Sequence, residues 1–130
     1  MRYLFLTGSS CRQRRIMVGC IFCKIAGKQI PGKIVYEDEL VVAFEDVEPK
    51  APVHILIIPR EHIPTVLELT PAHKEALFRM HEAAIKIAKE RNIDSRGFRL
   101  VMNTNAEAGQ SVFHIHMHLL GGRHLSWPPG

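Results

Sequence analysis

A chain of 130 residues, 46% apolar and 23% charged, holds enough material for one domain with a buried core and too little for two. Its formal charge of +4 comes from Arg2, Arg12, Arg14 and Arg15 in residues 1–18, where there is no acid; the other 13 cations face 13 acids, so the body lacks the basic footprint of a nucleic-acid binder. No apolar run approaches the roughly 18 residues of a membrane span, and neither nucleic acid nor membrane is an expected partner.

The opening MRYLFLTGSSCRQRRIMVG has an apolar patch only from Tyr3 to Leu6, shorter than a secretory core and with no small-residue cleavage site. Its arginines and serines would suit an organelle transit peptide, but the segment is short and weakly amphipathic. Residues 1–18 are therefore expected to be a basic tail, disordered or upstream of a true start at Met17, and the domain is expected over 19–130. Cys11, Cys20 and Cys23 make an odd count in a chain without disulfide-scaffold character, which points to a reducing compartment and a cytoplasmic protein.

A short helix or turn is expected near residues 20–26. β-type runs between turn residues then mark strands at 33–36, 41–45 and 54–58. Residues 70–92 place Leu77, Met80, Ala84 and Ile87 at helical spacing, with Thr70 as N-cap and Pro71 at the first helical position. Strands at 98–103 and 112–120 follow. Five short strands with one long helix between the third and fourth predict an α+β fold, an antiparallel sheet with that helix on one face. The closing SWPPG holds two prolines that continue neither helix nor strand, so it is frayed or docked.

The last strand carries SVFHIHMHLLGG. In a strand, alternate residues share a face, so His114, His116 and His118 form a polar ridge while Ile115, Met117 and Leu119 face the core. One histidine on a sheet is ordinarily a half-buried, hydrogen-bonded residue; three in register ask for chemistry. Two chemistries fit. His-x-His on a strand supplies zinc ligands from one face, or one imidazole is a nucleophile whose other nitrogen is held by a hydrogen bond. Gly109 and Ser111, just before the strand, could hold phosphate oxygens through backbone N–H groups and a hydroxyl.

The run from His114 to Leu120 resembles the histidine triad motif, alternating histidine and apolar residues, of the histidine triad (HIT) superfamily of nucleotide hydrolases and transferases. CIFCKIAGKQIPGKIVYEDE, AFEDVEPKAPVHILIIPREHI, RLVMNTNAEAGQSVFHIHMHLLGGR and the terminal WPPG extend the likeness to its Hint branch over almost all of residues 20–130. The resemblance implies a HIT fold, with two five-stranded sheets joined into a ten-stranded one across a homodimer, and a purine nucleotide substrate cleaved without a catalytic cofactor.

Residue by residue, His116 matches the nucleophile that attacks the α-phosphorus of a nucleoside phosphoramidate and forms a nucleotidyl-imidazole. His118 matches the histidine at the leaving group, and His54 an upstream partner in the same hydrogen-bond system. Gly109 and Ser111 match phosphate contacts, with Asn103 at the pocket edge; Asp46 matches the carboxylate that pairs with both ribose hydroxyls. Phe22, Ile25, Ile30, Phe44 and Val47 match the slot for the purine base, and core packing explains each of them equally well. Trp127 matches a tryptophan that approaches the partner's site.

Cys20 and Cys23 stand at C-x-x-C spacing, and the resemblance implies His62 and His114 as the positions that would complete a closed, structural Cys2His2 zinc site. The alternative is two small buried thiols on a helical turn. Arg60 is read as a surface residue, and His73 and His81 as solvent-facing on the long helix. Three rivals remain: a dinucleoside polyphosphate hydrolase of the same superfamily, a nucleotide-binding regulatory protein with incidental activity, and a zinc hydrolase that uses all three triad histidines as ligands.

Overall fold

Val53, Ile55 and Ile57 alternate with His54, Leu56 and Ile58, a pattern that buries a strand on both faces. In the computed structural model, which describes residues 19–130, that strand is fully buried and lies at the centre of the sheet. The strands are β1 (Ile34–Glu37), β2 (Val41–Glu45), β3 (Val53–Pro59), β4 (Phe98–Val101) and β5 (Met117–Gly121). They run in the order β1-β2-β3-β5-β4, every neighbouring pair antiparallel. The expected basic tail and its targeting role fall outside the described residues.

Two helices cover the two faces. The long helix α2 (Lys74–Glu90) buries Met80, Ala83, Ala84, Ile87 and Ala88 against Ile55, Ile57, Ile115, Met117 and Leu119. Its entry is the expected one, with a difference in geometry: Thr70 caps a 3-10 turn, Pro71–His73, that runs into the α-helix, and the His73 ring accepts from the Thr70 N–H in return. The short helix α1 (Ile21–Ala26) packs on the opposite face, where Phe22, Cys23 and Ile25 meet Val42, Phe44, Leu56 and Ile58. No described helix is long and apolar enough to cross a membrane.

The expected fold class and the five strands are present, and the fifth strand needs a correction. Pairing begins at Met117, opposite Ile57, not at Val112, so only His118 of the triad lies in the ladder. Two local effects end it: Pro59 has no N–H to donate, and the His114 carbonyl is taken by the His116 ring at 2.8 Å. The polar ridge is also not open, because α1 lies over it: His114 is 0% exposed and His116 7%. The alternation itself holds, with Ile115, Met117 and Leu119 all in the α2 core. The fourth strand stops at Val101, leaving Asn103 in the following loop.

Candidate active site and metal centre

Histidines 54 and 118 sit on neighbouring strands, diagonal to one another because Leu56 is the residue opposite His118. Their rings meet through His54 Nε2 and His118 Nδ1 at 2.9 Å. Which nitrogen carries the proton follows from the next link: the Lys50 backbone N–H, which can only donate, reaches His54 Nδ1 at 3.0 Å. Neutral His54 therefore has its proton on Nε2 and donates to His118 Nδ1, and neutral His118 has its own proton on Nε2. Asp46 Oδ2 lies 3.3 Å from the same His54 Nε2, while Asp46 Oδ1 accepts from the Glu48 N–H and shapes the turn.

The neighbouring imidazole is held the other way round. His116 Nδ1 donates to the His114 carbonyl, so its lone pair is on Nε2. The rings of His116 and His118 have centroids 5.1 Å apart. Burial pushes the pKa of His116 below the ordinary imidazole value, against the pull of its hydrogen bond to His114. Burial does the same to His54. His118 is pushed down to about 4 by burial, with the charges of His116 and His54 adding to it. At neutral pH the two neighbouring rings thus carry one lone pair, on His116 Nε2, and one N–H, on His118 Nε2, an arrangement that can supply a nucleophile and a proton donor.

The approach to the triad is a loop built around Gln110, whose role the sequence did not announce. Its buried amide accepts from the Asn105 N–H at 2.8 Å and donates to the Pro64 and Val112 carbonyls at 2.8 and 3.1 Å. Asn105 and Gly109 take left-handed φ values of 67° and 90° on either side of a 3-10 turn, Ala106–Ala108. Gly109 and Ser111 stay exposed on this loop, and Asn103 is half-buried before it.

On the other side of His114 lies a second cluster. His114 Nε2 donates to the Pro59 carbonyl at 2.8 Å, so its Nδ1 lone pair faces Cys20 Sγ at 3.3 Å and Cys23 Sγ at 3.6 Å. His62 Nδ1 is 3.5 Å from Cys23 Sγ, and the four ligand atoms lie within 4.8 Å of one another. A tetrahedron with zinc–sulfur and zinc–nitrogen bonds of ordinary length has an N–S edge of about 3.5 Å. Spacing and donor chemistry therefore fit a zinc ion. The Cys23 side chain first, then His114, hold the Cys20 thiol down to about 3, in the form a metal takes. The triad does not converge on one point: His114 belongs to the cysteine cluster, His118 to a group with Asp46 and His54, and His116 to neither.

Of the expected base-slot residues, Phe22 and Phe44 stack edge-on with centroids 5.4 Å apart, and Phe22 stands 5.0 Å from the His116 ring. Ile25 and Ile30 belong to the same apolar cluster, whereas Val47 is 95% exposed. Trp127 is exposed, and its ring centroid lies 5.9 Å from the guanidinium of Arg99 on the edge strand β4. Arg60 is not a loose surface residue: it donates to the Ala26 and Asp38 carbonyls and to Glu37, tying α1 to the β1–β2 turn. His73 likewise is partly buried beside Glu61 and not solvent-facing, while His81 is exposed as expected.

Residues 19–126 match the family model described as "Scavenger mRNA decapping enzyme C-term binding". The chain is 56% identical over 105 residues to the purine nucleoside phosphoramidase of Escherichia coli K12, a match that covers 81% of this chain and 88% of that protein. It is 46% identical over 112 residues to a 14 kDa zinc-binding protein of Brassica juncea, covering 85% and 98%. The fold superposes on a crystal structure of a HIT family hydrolase from Legionella pneumophila with a TM-score of 0.84 at 46% identity, covering 86% of this chain and 100% of that one.

Proposed function

The chain belongs to the histidine triad superfamily, in its Hint-like branch, and is a hydrolase; from that premise we propose that it cleaves the P–N bond of purine nucleoside 5′-phosphoramidates through a covalent nucleotidyl intermediate on His116. The observation that carries the reading is the opposed pair of tautomers, a lone pair on His116 Nε2 beside an N–H on His118 Nε2.

In the first step His116 Nε2 bonds to the α-phosphorus as the bond to nitrogen breaks. The nitrogen keeps the electron pair and takes a proton from His118, which the phosphate anion beside it favours in the protonated form. His54 Nε2–H turns to Asp46 Oδ2, 3.3 Å away, while His118 holds that extra proton. Water then gives its oxygen to phosphorus and a proton to His118, and His116 is released. Gly109, Ser111 and Asn103 hold the phosphate, and Asp46 the ribose hydroxyls. Phe22, Ile25, Ile30, Phe44 and Val47 flank the base.

Zinc at Cys20, Cys23, His62 and His114 is structural in this reading: it fixes α1 and the start of the triad and takes no part in bond making. The protein acts as a cytoplasmic homodimer, pairing through the edge strand β4, with Trp127 reaching the partner's site.

Incubating the wild type and His116→Ala with adenosine 5′-phosphoramidate and with diadenosine polyphosphates tests the reading. Wild-type cleavage of the phosphoramidate, lost in the variant, is the expected result. Preference for the dinucleotides would move the protein to the polyphosphate hydrolases, and full activity in the variant would remove His116 as nucleophile.

A further inference from the structure

The triad's proton register is set by a hydrogen bond that no triad residue supplies. Lys50 belongs to the loop between β2 and β3, EPKAP, where Pro49 and Pro52 stand one and two residues from it. Its N–H fixes the tautomer of His54, and its carbonyl is gripped from outside: Arg123 donates Nε at 3.2 Å and Nη2 at 3.0 Å to the Lys50 oxygen. The third guanidinium nitrogen, Nη1, bonds the His124 carbonyl at 3.0 Å, so the side chain is anchored at both ends of its fork.

The chain goes to some length to bring Arg123 there. At Gly121 an added Cβ would lie 2.6 Å from Ile93 Cδ1, and at Gly122, where φ is +91°, it would lie 2.9 Å from the Cβ of Pro52. Only glycine lets β5 end this close to the β2–β3 loop and turn back over it. The short stretch Gly121-Gly122-Arg123 thus acts as a clasp between the end of the triad strand and the loop that carries Asp46 and Lys50.

We propose that Arg123 is a positioning residue: by holding the Lys50 carbonyl it fixes the backbone of Lys50, whose N–H, one peptide earlier, selects the His54 tautomer, and through His54 it keeps the proton of neutral His118 on Nε2. Without the clasp the Lys50 N–H is no longer aimed at His54 Nδ1. His54 then also populates the form with its proton on Nδ1 and a lone pair on Nε2, which turns the pair round and leaves His118 with a lone pair on Nε2. The proton that loads the ring for the first step then enters at Nε2 instead of Nδ1, and the His54–His118 pair no longer has one fixed arrangement. Arg123 touches no reacting atom, and its exposed position lets it be replaced without opening the core.

The inference rests on the proposed role of His118, and its first test does not need substrate. In 15N-labelled free enzyme, imidazole nitrogen shifts report which nitrogen is protonated. Wild type is expected to show His118 with a lone-pair Nδ1 and a protonated Nε2, Arg123→Ala a mixture of both forms, and Arg123→Lys, with one donor restored, a pattern nearer wild type. An unchanged His118 pattern in Arg123→Ala overturns the proposal.

Turnover supplies the second arm. General acid–base catalysis contributes about a hundredfold or more, and loss of the fixed His54–His118 arrangement, which leaves the donor less well aimed, is expected to cost about tenfold in kcat for an alkylamine leaving group. The cost should be smaller for an aryloxide, which departs with little protonation. Equal losses for both, with folding intact by amide spectrum, also overturn it. If the wild type cleaves no phosphoramidate, the proposed function fails while the nitrogen shifts still decide the role of Arg123.

Discussion

Each triad histidine does different work because each has a different second partner. His114 leans on the Pro59 carbonyl and turns a lone pair to the cysteines, His116 leans on its own backbone two residues back, and His118 leans on His54. Burial keeps His116 neutral below the ordinary imidazole pKa near 6.5. Since a nucleophilic His116 must be unprotonated, the loss of kcat/KM caused by its protonation is expected to lie below pH 6.5; an acidic limb at or above 6.5 would contradict this. The same shifts act on stability. The unfolded chain binds a proton at His118 near 6.5 and the folded chain only near 4, so between those values the unfolded state holds more protons and stability falls as pH falls. The melting temperature should drop steadily from pH 6.5 to 4, and a constant value across that range would show that His118 is not held neutral.

At the scale of elements, the two helices carry separable burdens. α2 holds the sheet: Ile87 is 1% exposed in the main core, and Ile87→Ala is expected to cost about 2–5 kcal/mol in denaturant unfolding while leaving the triad's hydrogen bonds in place. α1 is only six residues long, too short to be stable alone, and is pinned by Cys20, Cys23 and Phe22 over the histidine face. Purified protein is expected to hold one zinc per chain; its removal by a chelator, or Cys23→Ser, should lower the melting temperature by about 5 °C or more. A metal-free protein with an unchanged melting temperature would leave the two cysteines as simple buried thiols.

The difference between these elements also explains what could be read in advance. The α2 stripe and the Ile115, Met117, Leu119 alternation are local periodicities, and both were legible in the sequence. The start of β5 was not, because His116 spends its ring on a backbone carbonyl that a strand would have needed. Nor were Gln110 or Arg123, whose partners lie 46 and 73 residues away and carry no sequence pattern. Cys20 and His114 are 94 residues apart, and only the family likeness brought them together before the fold did.

In the whole molecule, the sheet ends at β4, which pairs with β5 on one side and is an edge on the other. An edge strand with Trp127 and Arg99 beside it suits a second copy of the chain, and sedimentation should find a dimer at micromolar concentration; a monomer would remove Trp127 from the site. Phe22 of α1 and His54 of β3 meet the His116 and His118 rings directly, and the proposed function turns on a nucleophilic His116. Rapid quenching of the wild type during turnover of adenosine 5′-phosphoramidate, followed by peptide mass spectrometry, tests that role directly. The account predicts an adenylyl group on His116 that appears and decays at rates consistent with kcat; turnover with no adduct, or an adduct on another residue, would contradict it.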